Sequence, residues 1–173
     1  KVFNTLGIPF FSTDPEAKEI MENDKSIIHS INSIAGKDLY ADGSLDRMAL
    51  ANIIFNDNTL LEKVNSLVHP IVFDHFRKWE MVQVAPYVIF EAAILFESGA
   101  SKLVDRIATV VAPAEERVER VMRRNSLSRE QVLERMRNQM DDDSRIKRSD
   151  YVIYNSENDM IIPEILKIHE DIL

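Results

Sequence analysis

Ser12-Thr13-Asp14 stands where a short apolar run, Ile8-Pro9-Phe10-Phe11, gives way to helical patterning. In an open α/β sheet, ligands gather at the carboxyl ends of the strands. A carboxylate at Asp14 is therefore placed to accept a proton from a substrate hydroxyl or to orient a metal ion. The segment reads equally as a helix start, with Asp14 as capping acid, Pro15 first in the helix and Glu16 in its first turn. Glu91 opens a second group, Glu-Ala-Ala-Ile-Leu-Phe-Glu through Glu97, directly after the apolar run ending at Phe90. It too falls at a strand's carboxyl end, or else Ile94-Leu95-Phe96 is only a buried plug. A third group comprises Arg117, Arg120, Arg123, Arg124, Arg129, Arg135 and Arg137 on a charged helical pair. Guanidinium forks match triphosphate oxygens, and a hairpin carrying them could swing over a nucleotide. The same spacing suits a solvated surface of Arg and Glu pairs. Leu67-Val68-His69-Pro70 offers a histidine as a base or as a helix-junction residue, and the absence of a second His or Cys at ligand spacing argues against zinc.

These residues need elements to hold them. Lys1-Val2-Phe3-Asn4-Thr5-Leu6-Gly7 reads as the end of a helix closed by glycine. Helical patterning runs from Asp14 to Gly36, and a turn at Asp42-Gly43 leads to Ser44 as the cap of an amphipathic stretch, Leu45 to Phe55. Thr59 to Val84 is helical as well, but Pro70 lacks an amide proton, which predicts two helices meeting near His69. Then the rhythm changes. Tyr87 to Phe90, Arg106 to Val111 and Tyr151 to Tyr154 are short β-branched or aromatic runs separated by helical segments. Strands apolar at nearly every position suit burial on both faces, so the fold class is α/β with a parallel sheet wrapped by helices. The helical pair spans about Ala114 to Arg124 and Ser128 to Met140.

Composition narrows the partners. The 173 residues carry 21 Lys and Arg against 29 Asp and Glu, a net charge of −8. Such a balance repels nucleic acid and anionic membrane at long range, so an anionic ligand must be held by a local basic cluster. The sequence has no cysteine, which removes disulfides and thiolate chemistry and fits a cytoplasmic protein. No apolar run approaches the ~18 residues of a membrane span.

Taken in order, Ser12-Thr13-Asp14, Asp42-Gly43-Ser44-Leu45-Asp46-Arg47, Leu67-Val68-His69-Pro70, Glu91 to Glu97, Arg124 to Arg135 and Asp150-Tyr151-Val152-Ile153-Tyr154-Asn155 resemble the sequence pattern of dephospho-coenzyme A kinases. The resemblance implies a P-loop kinase fold with a helical substrate domain over 14–84, a lid over 114–140, and a nucleotide-binding core from 1–13, 85–113 and 141–173. It implies transfer of the ATP γ-phosphate to the ribose 3′-hydroxyl of dephospho-coenzyme A, with Mg²⁺, by a monomer or small homo-oligomer. Asp14 takes the role of base; Arg47, His69 and Glu91 shape the acceptor site; Arg124 and Arg135 meet ATP phosphates; and Asn155 lies near the adenine. Competing readings are a nucleoside monophosphate or shikimate-type kinase, and a non-catalytic module that binds the acceptor alone.

Three departures stand out. Ser12 occupies the place of the first acid in the family's Asp-x-Asp, and Ala93 the place of a proline. No Gly-x-x-x-x-Gly-Lys-Ser/Thr loop occurs, the only glycines being Gly7, Gly36, Gly43 and Gly99. That loop cradles the β and γ phosphates. The expectation is that a first strand and its loop precede Lys1, and that a chain lacking them does not bind ATP normally.

Overall fold

The computed structural model describes residues 2–55 and 57–173; Lys1 and Asn56, within the expected core and substrate-domain ranges, lie outside the described residues. In chain order the elements are α1 (Val2–Thr5), β1 (Phe10–Ser12), α2 (Thr13–Asn23), α3 (Lys25–Ala35), α4 (Arg47–Phe55), α5 (Asn58–Glu80) and β2 (Ile89–Glu91). A short 3-10 turn at Ala100–Leu103 precedes β3 (Ala108–Val111), α6 (Ala114–Asn125), α7 (Arg129–Arg137), α8 (Asp142–Lys147), β4 (Tyr151–Tyr154) and α9 (Ile161–Ile172). They form two compact units, one of Phe11–Val84 with Phe90–Ala93, the other of Lys1–Phe10, Ala85–Ile89 and Ile94–Leu173.

The first unit is built on α5. Val64, Val68, Val72 and Phe76 recur every fourth residue and are all buried, giving one apolar stripe against which α2, α3 and α4 pack. The expected break at Pro70 does not occur: α5 is one helix with Pro70 inside it. Pro70 lies on the exposed side, while the buried stripe of Val64, Val68, Val72 and Phe76 continues on both sides of it. A break does occur where none was expected. Asp24 ends α2, and its Oδ1 accepts from the amides of Ser26 at 2.8 Å and Ile27 at 3.2 Å, starting α3 afresh. Likewise Asp46, rather than Ser44, starts α4, with its Oδ1 accepting from the Ala49 amide at 2.9 Å.

In the second unit β3 and β4 run parallel, from Ala108 opposite Tyr151 to Val111 opposite Tyr154. Ile153 of β4 packs with Ile165 and Ile168 of α9 into a core that Val2, Phe3 and Tyr151 border. Burial on both faces of β3 does not hold here. Thr109 and Val111 are buried, while Val110 between them is 50% exposed, so the described residues cover one face only. The other strands, β1 and β2, pair with each other, and no described strand hydrogen-bonds to both pairs. Among the described residues no helix is long and apolar enough to cross a membrane.

Candidate active site

Two strand ends meet at the first candidate group. Phe11 and Phe90 stack with ring centres 5.9 Å apart, and Phe76 of α5 stands edge-on to both, at 5.3 Å from Phe11 and 4.6 Å from Phe90. This aromatic packing fixes the residues that follow in each chain segment. The Ser12 hydroxyl donates to Glu91 Oε2 at 2.6 Å. Ser12 occupies the N-cap position of α2 but caps nothing with its side chain, because that hydroxyl is committed to Glu91. Asp14 is thus not the cap expected from Asp14-Pro15-Glu16; it lies in the first turn of α2, exposed, with no hydrogen bond or ion pair among the described residues. The amides of that turn favour a negative charge there. Glu16, two residues on, meets His75 Nδ1 of α5 at 2.5 Å and pins the turn to the long helix.

Arg47 and His69 belong to the same unit but are held separately. Glu22 near the end of α2 accepts from the Leu45 amide at 2.7 Å and from Arg47 Nη2 at 3.0 Å, and these two bonds hold its carboxyl below the usual range. The Asp-Gly-Ser-Leu-Asp-Arg segment is therefore tied to α2 through a residue that sequence reading did not single out. Tyr40 adds a second tie: its hydroxyl donates to the Met21 carbonyl at 2.7 Å, and burial pushes its pKa up to about 12, which keeps the donor proton on. His69 is half-buried and stacks on Phe73, with ring centres 6.0 Å apart. Burial pushes its imidazole below the ordinary histidine range.

The arginine-rich hairpin lies in the other unit. Val118 of α6 and Val132 of α7 are buried, and Arg129 donates both Nη groups to the Glu115 carboxylate at 2.8 Å, fastening α7 to α6. Ser128 and Gln131 form a reciprocal capping box at the start of α7. Arg124 donates Nε to Asn125 Oδ1 at 2.8 Å, and Arg135 is exposed with no partner among the described residues. Asn155 follows β4; its amide donates to the Val111 carbonyl at 2.8 Å and its carbonyl accepts from Arg120 Nη1 at 2.8 Å. The fold thus joins Ser12 to Glu91, Arg47 to Glu22 and Arg120 to Asn155. Among the described residues, Arg124 and Arg135 bond neither to each other nor to Asn155.

Comparison with known proteins bears on these segments together. A family model described as dephospho-CoA kinase matches residues 1–160. The dephospho-CoA kinase of Bacteroides fragilis is 36% identical over 168 residues, covering 96% of this chain and 82% of that protein. That of Porphyromonas gingivalis is 34% identical over 173 residues, covering 99% and 86%. Among solved structures, TT1252 from Thermus thermophilus matches with a TM-score of 0.86 at 32% identity, over 99% of this chain and 88% of that one. The dephospho-CoA kinase from Campylobacter jejuni gives a TM-score of 0.66 at 25% identity over the same shares.

Proposed function

The chain belongs to the dephospho-CoA kinase family, and on that premise we propose how its residues divide the ATP-dependent phosphorylation of dephospho-CoA. The acceptor is the ribose 3′-hydroxyl. Its oxygen attacks the γ-phosphorus, the bond to the bridging oxygen of ADP breaks, and the hydroxyl proton passes to the Asp14 carboxylate. Phosphoryl transfer needs little covalent help, so most of the work is holding the two reactants in line and neutralising charge. The observation that carries this reading is the Ser12–Glu91 hydrogen bond of 2.6 Å. It fixes two strand carboxyl ends beside the first turn of α2, leaving Asp14 exposed for a ligand.

Arg47, held by Glu22, and the half-buried His69 are assigned to the acceptor within 14–84. Arg124 and Arg135 of the hairpin over 114–140 are assigned to the ATP phosphates, and Asn155 to the base. Among the described residues no three His, Asp or Glu side chains gather into a cage for a metal. That donor set still suits Mg²⁺, which keeps several waters and takes its remaining oxygens from substrate phosphates and one or two protein groups. The ion would be carried chiefly by the ATP phosphates and water, with Asp14 left free as the base, and would neutralise charge on the transferred group. The absence of cysteine suits a reducing cytoplasm.

An acceptor screen of the full-length protein tests the proposal, with dephospho-CoA, nucleoside monophosphates and shikimate each offered with ATP. Strong preference for dephospho-CoA, with the new phosphate on the 3′-oxygen by phosphorus NMR, is the expected result. Comparable turnover of a nucleoside monophosphate, or a phosphate elsewhere on the acceptor, would overturn it.

A further inference from the structure

Asp142, the first residue of α8, divides one carboxylate between guanidinium groups from two elements. Arg117 of α6 grips both oxygens, Nη1 to Oδ1 at 3.1 Å and Nη2 to Oδ2 at 2.6 Å. Arg145, one turn along α8, also donates its Nη2 to Oδ1. Within this trio one negative charge therefore meets two positive ones, with Asp141 and Asp143 flanking it in the same turn. The group is recessed but reachable, the side chains of Arg117, Asp142 and Arg145 being 28%, 35% and 19% exposed. Both Nε–H donors are buried without an acceptor among the described residues. Few buried donors go unpaired in folded proteins, and one on a charged group is especially unfavourable.

Position says which ligand fits. Arg117 lies in the first turn of α6, directly after β3 ends at Val111. One turn further, Arg120 grips the carbonyl of Asn155, the residue after β4. The carboxylate-bridged pair thus stands on the side of this unit where the strands β3 and β4 end, which is where open α/β sheets bind ligands. A chain of net charge −8 gathers no anion at long range, so an anionic ligand requires paired guanidinium forks held in place locally.

We infer that Arg117 and Arg145, held together by Asp142, form a site for an oxyanion of the donor nucleotide's polyphosphate tail. Arg117 and Arg145 contact the phosphate oxygens, and Asp142 is a positioning residue that sets the angle between the two guanidinium planes. The inference rests on the proposal above that this unit carries the ATP side. It adds a pair distinct from Arg124 and Arg135.

The test uses full-length protein carrying Arg117→Met, Arg145→Met, Arg145→Lys or Asp142→Asn, with binding of ATP and of inorganic tripolyphosphate measured by calorimetry beside steady-state kinetics. Arg117→Met and Arg145→Met are expected to raise KM and Kd for ATP by about tenfold or more while KM for dephospho-CoA stays unchanged. Arg145→Lys recovers part of the binding, having the charge without the fork. Asp142→Asn keeps both positive charges but frees their geometry, so kcat falls about tenfold while KM for ATP does not rise. Melting temperatures identify variants that merely unfold; Arg145→Lys and Asp142→Asn then carry the measurement. Folded Arg117→Met and Arg145→Met proteins that bind ATP and tripolyphosphate like the wild type would overturn the site. Wild-type kcat in Asp142→Asn would overturn its positioning role. If Arg124→Met and Arg135→Met weaken ATP while this pair does not, the donor-side assignment survives and the paired site is wrong. If none of the four matters, both fail.

Discussion

Among single residues, His69 offers a test that needs no substrate. Burial lowers its pKa from an ordinary value of 6.5, so the unfolded chain binds this proton more readily than the folded one. Stability must then fall as pH drops below about 6.5 and stop falling once the folded-state pKa is passed. The melting temperature is expected to fall as pH drops from neutral through 6.5, with part of that fall absent in His69→Gln. An identical pH dependence in the variant would contradict the burial argument. Residue-scale legibility was uneven. Asp14 and Glu91 could be read as strand-end acids because the apolar runs before them are local signals. Glu22 could not, because its partner Arg47 stands 25 residues away. Asp142 lies at the same separation from Arg117, and such pairs come together only on folding. Asp14-Pro15-Glu16 points locally to Asp14 as the cap of α2, but Ser12 stands in the cap position and turns its hydroxyl to Glu91, 79 residues away.

Among elements, α5 and α7 are the instructive pair. Proline inside a helix removes one hydrogen bond and crowds the preceding turn, a local rule that predicts a break at Pro70. The break is absent because Val64, Val68, Val72 and Phe76 are buried along one continuous stripe, and tertiary burial outweighs the local penalty. Pro70→Ala should therefore stabilise the protein by up to about 3 kcal/mol, less whatever the unfolded chain gains in freedom. Urea denaturation would measure it, and a less stable variant would contradict the account. At α7 the capping box of Ser128 and Gln131 predicts that Ser128→Ala costs about 1 kcal/mol. The effect should appear as faster amide exchange in the first turn of α7, and unchanged exchange there would argue against the box. The hairpin itself was legible, because Val118 falls on the apolar face of a strongly charged helix and lies fully buried. One-sided burial of β3 was not, since Val110 is as β-branched and apolar as a residue buried on both sides.

For the whole molecule, the sequence pattern carried the α/β class and the family, while the assignment of Phe90–Ala93 to the same compact unit as Phe11–Val84 follows from packing that no single segment encodes. Ile31 has no exposed surface, so Ile31→Ala should cost about 2–5 kcal/mol. On the proposed division of roles, an acidic chain of net charge −8 handles a polyanionic donor through local basic groups. The most direct test is ADP release by the full-length protein, with and without dephospho-CoA, in the wild type and in Asp14→Asn. ADP release should depend on dephospho-CoA, and Asp14→Asn should lower kcat by about 100-fold or more with KM for ATP unchanged. Near-normal turnover in Asp14→Asn, or ADP release indifferent to dephospho-CoA, would contradict the account.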